Sequence, residues 1–282
     1  MSTGRAPQGI LSWAPEGIAT SRSFRGSAKA SAKFLDGFTN PGMATSSVHR
    51  PLIADHGFSE RRMVRADFHS HTCYSHDGYQ TPQELVTRAR EVQLDRIAVT
   101  DHHTLDGALR ARDLDPERII IGEEITSRCG IDVIGLYLTK RIAPRLLLEQ
   151  VVDEIRAQGG VVYLPHPFAY LVSARQRAQR AFPLADIIEV WNSRAFYPPW
   201  NRRAIELVRE RGVPGAAGSD GHFGFELGRA LTVLPRFADA ASLKRAAMHA
   251  EVRHDGRGYL LPHVGSVACM VVSRVMRRRI RR

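Results

Sequence analysis

The chain has 282 residues, of which 43% are hydrophobic, too long for a small module and enough for one large core with tails. Its three cysteines, Cys73, Cys129 and Cys269, have no CxxC spacing, which excludes a disulfide framework and a zinc knuckle and fits a reducing cytoplasm. The formal net charge of +11 lies in the tails: residues 1–62 carry eight Lys/Arg against four Asp/Glu and the last twelve carry six arginines and no acid, which leaves 26 basic against 25 acidic side chains in residues 63–270.

In chain order, four short apolar or β-branched runs each end in side chains that can hold a metal. The first leads into Asp67-Phe68-His69-Ser70-His71; side chains i and i+2 of an extended strand share a face, so His69 and His71 can hold one ion together, and Asp67 shares that face. A helix is expected over Thr81 to Gln93. The run Arg96 to Thr100 then ends in Asp101-His102-His103. A second helix is expected over Ala143 to Gln158, before Val161 to Leu164 ends in Pro165-His166-Pro167. The strand Asp186 to Trp191 leads to Asn192 and Arg194, and Val213 to Gly218 leads to Ser219-Asp220-Gly221-His222. Strand and helix alternate, which argues for a parallel α/β sheet or barrel whose site lies at the carboxyl ends of its strands.

The tails read differently. Residues 1–62 are rich in Ser, Gly, Pro and Ala, with no apolar core after a basic start; this is not a secretory signal but a disordered extension, or an overlong start, since Met63 would itself open the first strand. In residues 259–282, Val264, Val267, Ala268, Val271, Val272, Val275 and Met276 recur at helical spacing beside Arg274 and Arg277 to Arg279. This predicts an amphipathic helix too short to span a bilayer. It either closes the domain, leaving a solvated Arg-rich tail, or uses that tail to touch nucleic acid or an anionic membrane.

Taken together and in order, Asp67-Phe68-His69-Ser70-His71-Thr72, Ser75-His76-Asp77-Gly78, Ala98-Val99-Thr100-Asp101-His102, Gly122-Glu123-Glu124-Ile125-Thr126, His166-Pro167, Ile188-Glu189-Val190-Trp191-Asn192 and Gly218-Ser219-Asp220-Gly221-His222 give the chain a resemblance. From about Met63 to about His254 it resembles the polymerase and histidinol phosphatase (PHP) family of metal-dependent phosphoesterases, with the family domain placed at 63–258. The resemblance implies a distorted (β/α)7 barrel with two or three divalent ions (Mn, Zn, Mg or Fe) at the strand ends and a metal-bound hydroxide attacking a phosphate ester. Residue by residue it implies a first ion on His69, His71, Glu124 and Asp220, a second on Glu124, His166 and Asp132, and a third on Asp77, His102 and His222. Asp132 stands where many relatives have a histidine, so two ions remain an alternative.

Only one of the adjacent Glu123 and Glu124 can face the barrel axis; the family spacing Gly-x-Glu implies Glu124 and leaves Glu123 on the other face of its strand. The family pattern Ser-x-Asp-Gly likewise implies Asp77 over His76, which is left as a loop residue near the substrate. Asp101 is expected to orient a ligand or move a proton, Arg194 to meet a substrate phosphate, Cys73 to pack as a small hydrophobe, and Trp191 and Trp200 to belong to the core. The substrate implied is a nucleotide or short oligonucleotide. The alternatives are a small-metabolite phosphate of the histidinol-phosphate type, or no turnover at all, in a metal-stabilised scaffold that binds RNA or membrane through its tail. The oligomeric state is left open.

Overall fold

The computed structural model describes residues 9–12, 63–169 and 179–255, which fall within one compact unit. The residues of the expected C-terminal helix, and the extension apart from residues 9–12, lie outside the described residues. Inside the extension, Gly9–Ser12 forms a strand, β1, paired antiparallel with the last strand.

The strands that follow are β2 (Met63–Asp67), β3 (Arg96–Val99), β4 (Ile119–Thr126), β5 (Asp132–Leu136), β6 (Val161–Leu164), β7 (Ile187–Asn192), β8 (Gly215–Gly218), β9 (Ala230–Pro235) and β10 (Glu251–His254). They form one sheet in the order β1-β10-β9-β2-β3-β4-β5-β6-β7-β8. The sheet curls until its far end returns: Ala217 N–H of β8 donates to Thr232 Oγ1 of β9 at 2.8 Å, and Asp220 N–H donates to the His69 carbonyl at 2.8 Å. The result is a nearly closed barrel. Phe68, at the end of β2, meets Tyr163 of β6 and Phe237 with ring centroids 6.1 and 6.2 Å apart. Rings from the neighbouring β2 and β9 segments and from the more distant β6 thus fill the enclosed space, all three fully buried or nearly so.

The barrel is mixed rather than parallel. β2, β3 and β4 run parallel, as do β6, β7 and β8, but β5 is antiparallel to both of its neighbours and β9 is antiparallel to β2. The cause is loop length: only residues 127–131 separate β4 from β5, with Gly130 at φ 76. A tight connection can only reverse the chain, whereas a parallel return needs a crossover of a dozen or more residues. The reversal places the first residue of β5, Asp132, opposite Thr126 at the carboxyl end of β4.

The helices pack outside. α1 (Pro82–Glu91) lies within the span expected from the sequence, started by Pro82 at its first position and a capping box between Thr81 and Glu84. α2 (Asp106–Leu114) follows the turn after β3. α3 (Leu148–Ala157) starts later than the sequence suggested and buries Leu148, Val151, Val152 and Ile155, a face at i, i+3, i+4 and i+7. Each such side chain contributes roughly 1.5–3 kcal/mol relative to exposure. α4 (Pro198–Arg211) ends at Gly212 in the left-handed conformation, and α5 (Ala240–Ala247) covers β9. Trp191 and Trp200 are half-buried rather than core: Trp191 lies flat on His254, ring centroids 3.3 Å apart, and Trp200 packs edge-on to Phe196 and Tyr197. Among the described residues no helix is long and apolar enough to cross a membrane.

One contact ties α2 to the barrel. A Cβ at Gly107 would collide with Asp101 Oδ2 and Thr72 Oγ1. Helix propensity alone would make Gly107→Ala stabilising by about 1 kcal/mol, whereas overpacking typically costs about 1–3 kcal/mol. We expect the clash to win and Gly107→Ala to lower the urea midpoint and the Tm. An unchanged or raised midpoint would show that α2 can move away at no cost.

Candidate metal centre

At the carboxyl ends of the parallel strands, histidine and carboxylate side chains converge from separate segments. His69 Nε2 lies 3.1 Å from His71 Nε2 and 3.1 Å from Glu124 Oε2, and 3.6 Å from Asp220 Oδ1. His71 Nε2 is 3.3 Å from the same Glu124 oxygen and 3.4 Å from the same Asp220 oxygen. On one side, His166 Nε2 is 3.2 Å from Glu124 Oε1, and Asp132 joins these two with ligand atoms all within 4.8 Å. On the other, Asp77 Oδ2 lies 3.0 Å from His222 Nε2 and 3.4 Å from His102 Nε2, which is itself 3.6 Å from Glu124 Oε2.

All nine side chains expected as ligands thus meet in one place, and the nearest-neighbour groupings differ in detail from the expected ones. His69 groups with His166 and Asp220 as well as with His71 and Glu124, and His71 also groups with Asp77 and His102. Their donor atoms are imidazole nitrogens and carboxylate oxygens, a set suited to borderline and hard divalent ions. The orphaned atoms point the same way: Asp132 Oδ1 and His71 Nδ1 are buried without a hydrogen-bond partner. Two imidazole nitrogens 3.1 Å apart with carboxylates on both sides need a cation among them, and a divalent ion fits this donor set.

Without an ion, protons take that role. Burial opposes charge on every imidazole, but Asp220, Glu124 and Glu189 outweigh it at His69, whose pKa stands well above the ordinary value. Against the same burial, hydrogen bonds to Asp220 and Glu124 raise His71 to about 10, and the bond to Glu124 raises His166 to about 9. Burial likewise pushes Glu124 and Asp220 upward, yet the histidines around them hold both well below the usual carboxylate range. Asp132 is raised, by burial first and then by the Glu124 charge.

Other residues hold the cluster in place. Glu189 Oε1 faces His69 Nδ1 at 3.2 Å and accepts from Tyr163 Oη at 3.2 Å, while its Oε2 accepts from His166 N–H at 2.7 Å and Asn192 Nδ2 at 2.9 Å. The proton on His69 Nδ1 therefore points to Glu189, and Nε2 faces the cluster, where it offers its lone pair once an ion displaces its proton. Asn192 Nδ2 also reaches Asp220 Oδ2 at 3.2 Å. His222 Nδ1 donates to the Asp220 carbonyl at 2.7 Å, leaving Nε2 toward Asp77, and Ser75 Oγ donates to Asp77 Oδ1 at 2.6 Å. Sequence reasoning quoted the Glu189 and Asn192 segment but gave neither a role. The available signal was a carboxylate inside the apolar run Ile187-Ile188-Glu189-Val190, since a buried charge demands partners.

The other expectations divide. Glu123 does face away, accepting from Ile142 N–H at 2.8 Å, and burial raises it to about 7. Asp67 lies beneath the cluster and accepts from Ser219 N–H at 2.9 Å, raised by burial to about 6. Asp101 accepts from the N–H and hydroxyl of Thr72, both at 2.6 Å, and so anchors the segment that carries His71. Arg194 is buried and its Nη1 lies 3.0 and 3.1 Å from the two oxygens of Glu226, whose Oε2 in turn accepts from His222 N–H at 2.7 Å. His76 is an exposed loop residue with its ring 4.9 Å from that of His102. Cys73 is exposed rather than packed: its backbone N–H is tied to the Gln80 carbonyl at 2.8 Å, which fixes a surface loop.

Comparison with known proteins agrees with this geometry. Residues 67–153 match the model of the PHP domain and residues 198–248 that of the PHP-associated region. An uncharacterised protein of Methanocaldococcus jannaschii is 31% identical over 144 residues, 46% of this chain and 82% of that protein. The 5'-3' exoribonuclease Rnm of Escherichia coli is 28% identical over 197 residues, 56% of this chain and 66% of the relative. A solved two-domain protein of Bacteroides vulgatus, described as containing a predicted PHP-like metal-dependent phosphoesterase, superposes with a TM-score of 0.56 at 19% identity, covering 68% of this chain and 65% of that one. The chain thus spans just under two thirds of the exoribonuclease and of the solved structure. Its strand-end cluster and these matches establish that the chain belongs to the PHP domain family.

Proposed function

We propose that the protein hydrolyses phosphate esters at a centre of two or three divalent ions, with a nucleotide or short oligonucleotide as substrate. The observation that carries this reading is the sharing of Glu124 between neighbouring donor groups, because a carboxylate that serves two groups holds ions close together. His69, His71, Glu124 and Asp220 would hold one ion, Glu124, His166 and Asp132 a second, and Asp77, His102 and His222 a third. When bound, such ions supply an acidified water as nucleophile and neutralise charge on the phosphoryl oxygens. The side chains then have positioning work. Glu189 fixes His69 in the tautomer that offers Nε2 to an ion, Asn192 holds Asp220, and Asp101 holds the Thr72 end of the first segment. Arg194 contributes a positive charge near Asp220 and braces the turn that carries His222. The name of the exoribonuclease relative supports a nucleic-acid phosphate over a metabolite.

A panel of nucleoside monophosphates, di- and trinucleotides, histidinol phosphate and sugar phosphates, assayed with manganese added, tests the substrate class. We expect turnover of nucleotides or short oligonucleotides at least tenfold above that of the metabolites. A preference for histidinol phosphate would move the protein to the metabolite phosphatases, and no turnover of any ester would leave a scaffold. Asp220→Asn should reduce kcat at least about 100-fold with its circular dichroism unchanged, since residues that hold a catalytic ion contribute to chemistry more than to the core.

Metal loading should also release protons. A histidine whose folded pKa is raised stabilises the metal-free protein fully below its unfolded value of about 6.5 and loses that contribution as pH rises through about 9 for His166 and about 10 for His71. At pH 7 these imidazoles carry protons that an ion must displace. Calorimetric titration of metal-free protein with manganese, in buffers of different ionisation enthalpy, should show more than one proton released per protein and an affinity that rises with pH. A heat independent of buffer would contradict the protonated cluster.

A further inference from the structure

Next to the cluster, on the outer side of the segments that carry Asp77 and His222, a cleft of about 620 Å3 opens between α1 and residues 223–225. Its size falls within the range of small-molecule sites. Three aromatic rings line it as a stack: Tyr79 on Phe223 with centroids 4.7 Å apart and planes within 5°, and Phe223 on Phe225 at 5.4 Å and 18°. Phe225, the outer ring, is 51% exposed, with the Arg229 guanidinium 5.8 Å from its centroid.

The polar atoms of the wall are unusual. Gln80 is buried, and its Nε2 donates to the carbonyls of His71 at 2.8 Å and Gly221 at 3.0 Å. Those two bonds fix which end of the amide is oxygen. The remaining Oε1, close to Gly224 in the cleft wall, is buried with no partner, and so is Tyr79 Oη. A buried acceptor left unmade costs about 1–3 kcal/mol, so both atoms call for a ligand that is flat and carries hydrogen-bonding groups on its edge. The charges indicate which part of a substrate fits. Glu84 and Glu91 are on the cleft wall, and Arg88 is already engaged by Glu91 at 3.0 Å and by the Gly224 carbonyl at 3.2 Å. A phosphate is repelled there and a neutral heteroaromatic edge with N–H donors is not.

We propose that this cleft is a nucleobase subsite: the base stacks on the Phe225–Phe223–Tyr79 column and donates to Gln80 Oε1, while its phosphate ester lies toward Asp77 and His222. Tyr79 is two residues from Asp77 and its N–H bonds to the His222 carbonyl at 3.0 Å. Two residues of extended chain reach roughly 7 Å, about the span from a base to its 5'-phosphate. The proposal rests on the phosphoesterase reading for the placement of the phosphate, not for the binding of the base.

Adenosine, which has no phosphate, separates the two. Its binding to the full-length protein is measured by calorimetry alongside ribose 5-phosphate, for the native chain, Phe225→Ala and Tyr79→Phe. Base–aromatic stacking removed by alanine is typically worth 1–3 kcal/mol, so Phe225→Ala should weaken adenosine at least about fivefold and leave ribose 5-phosphate unchanged. Tyr79→Phe keeps the ring and removes the hydroxyl, and should weaken adenosine by a smaller factor. With adenosine 5'-monophosphate as substrate, Phe225→Ala should raise KM by the same factor with kcat held, and should not alter turnover of p-nitrophenyl phosphate. Failure of the native protein to bind adenosine, or binding unaffected by both substitutions, would overturn the subsite. Phe225-dependent adenosine binding without hydrolysis of any ester would instead sustain the subsite and remove the hydrolase reading.

Discussion

The carboxylate of Glu124 sits fully buried with four imidazole nitrogens around it, from His69, His71, His166 and His102, at 3.1, 3.3, 3.2 and 3.6 Å. A lone ionised carboxylate in such a place costs far more than a domain's whole stability and would take up a proton instead. It stays charged because the segments after β2, β3 and β6 deliver four imidazoles to it. Asp220 and His222 join the cluster only when the sheet curls far enough for the segment after β2 to meet the segment after β8. Barrel closure and the site are therefore one constraint. The hydrogen bonds that close the barrel, such as Asp220 N–H to the His69 carbonyl, are made by the residues that face the cluster.

A second layer of polar groups makes the arrangement rigid. Gly218 leaves room that a Cβ would take from Glu189 Oε1 and His69, so the strand-end glycine and the orienting carboxylate belong to one packing decision. His166 and Asp220 both have positive φ, 25° and 51°. Such conformations cost of order 1–3 kcal/mol each in non-glycine residues and persist where the surroundings over-determine them. Here they do: His166 N–H is held by Glu189 and Asp220 N–H by the carbonyl of His69.

The side chains that touch the cluster were legible in the sequence because metal-type ligands at the ends of apolar runs form a local pattern, and strand alternation lets only one of two adjacent residues face inward. For Glu123 and Glu124 the family spacing then chose Glu124. The supporting layer was less legible. Glu189 looks like any carboxylate until His69 from the end of β2 and Tyr163 and His166 from the end of β6 are brought to it beside Asn192 of its own strand, and no spacing along the chain encodes that meeting. The direction of β5 was missed because alternation of strand and helix was read as parallel throughout, although the five residues between β4 and β5 leave no space for a crossover. The pairing of Arg194 with Glu226 was not legible either, because the partner lies thirty-two positions on. Cys73 was placed inside from its residue type alone, whereas its surface loop is set by a backbone bond to Gln80.

Charge balance links the metal-free protein to the loaded one. The carboxylates of Asp77, Glu124, Asp132 and Asp220 can be offset by protons on His69, His71, His102 and His166, all of which are raised in pKa by these neighbours against the cost of burial. On the proposed assignment, two divalent ions with neutral imidazoles offset the same four negative charges. A third ion would leave the centre about two charges positive, which matches a phosphate dianion. The near-neutral body of the chain then supplies no long-range field of its own, so attraction of the phosphate would come from the centre itself and act over about a Debye length, ~8–10 Å at physiological ionic strength. A short-range attraction of this kind selects for the phosphate but says little about what it is attached to. Discrimination among phosphate esters must therefore come from surfaces beside the centre, and among the described residues the aromatic cleft next to Asp77 and His222 has the shape and the unspent hydrogen-bonding atoms to provide it.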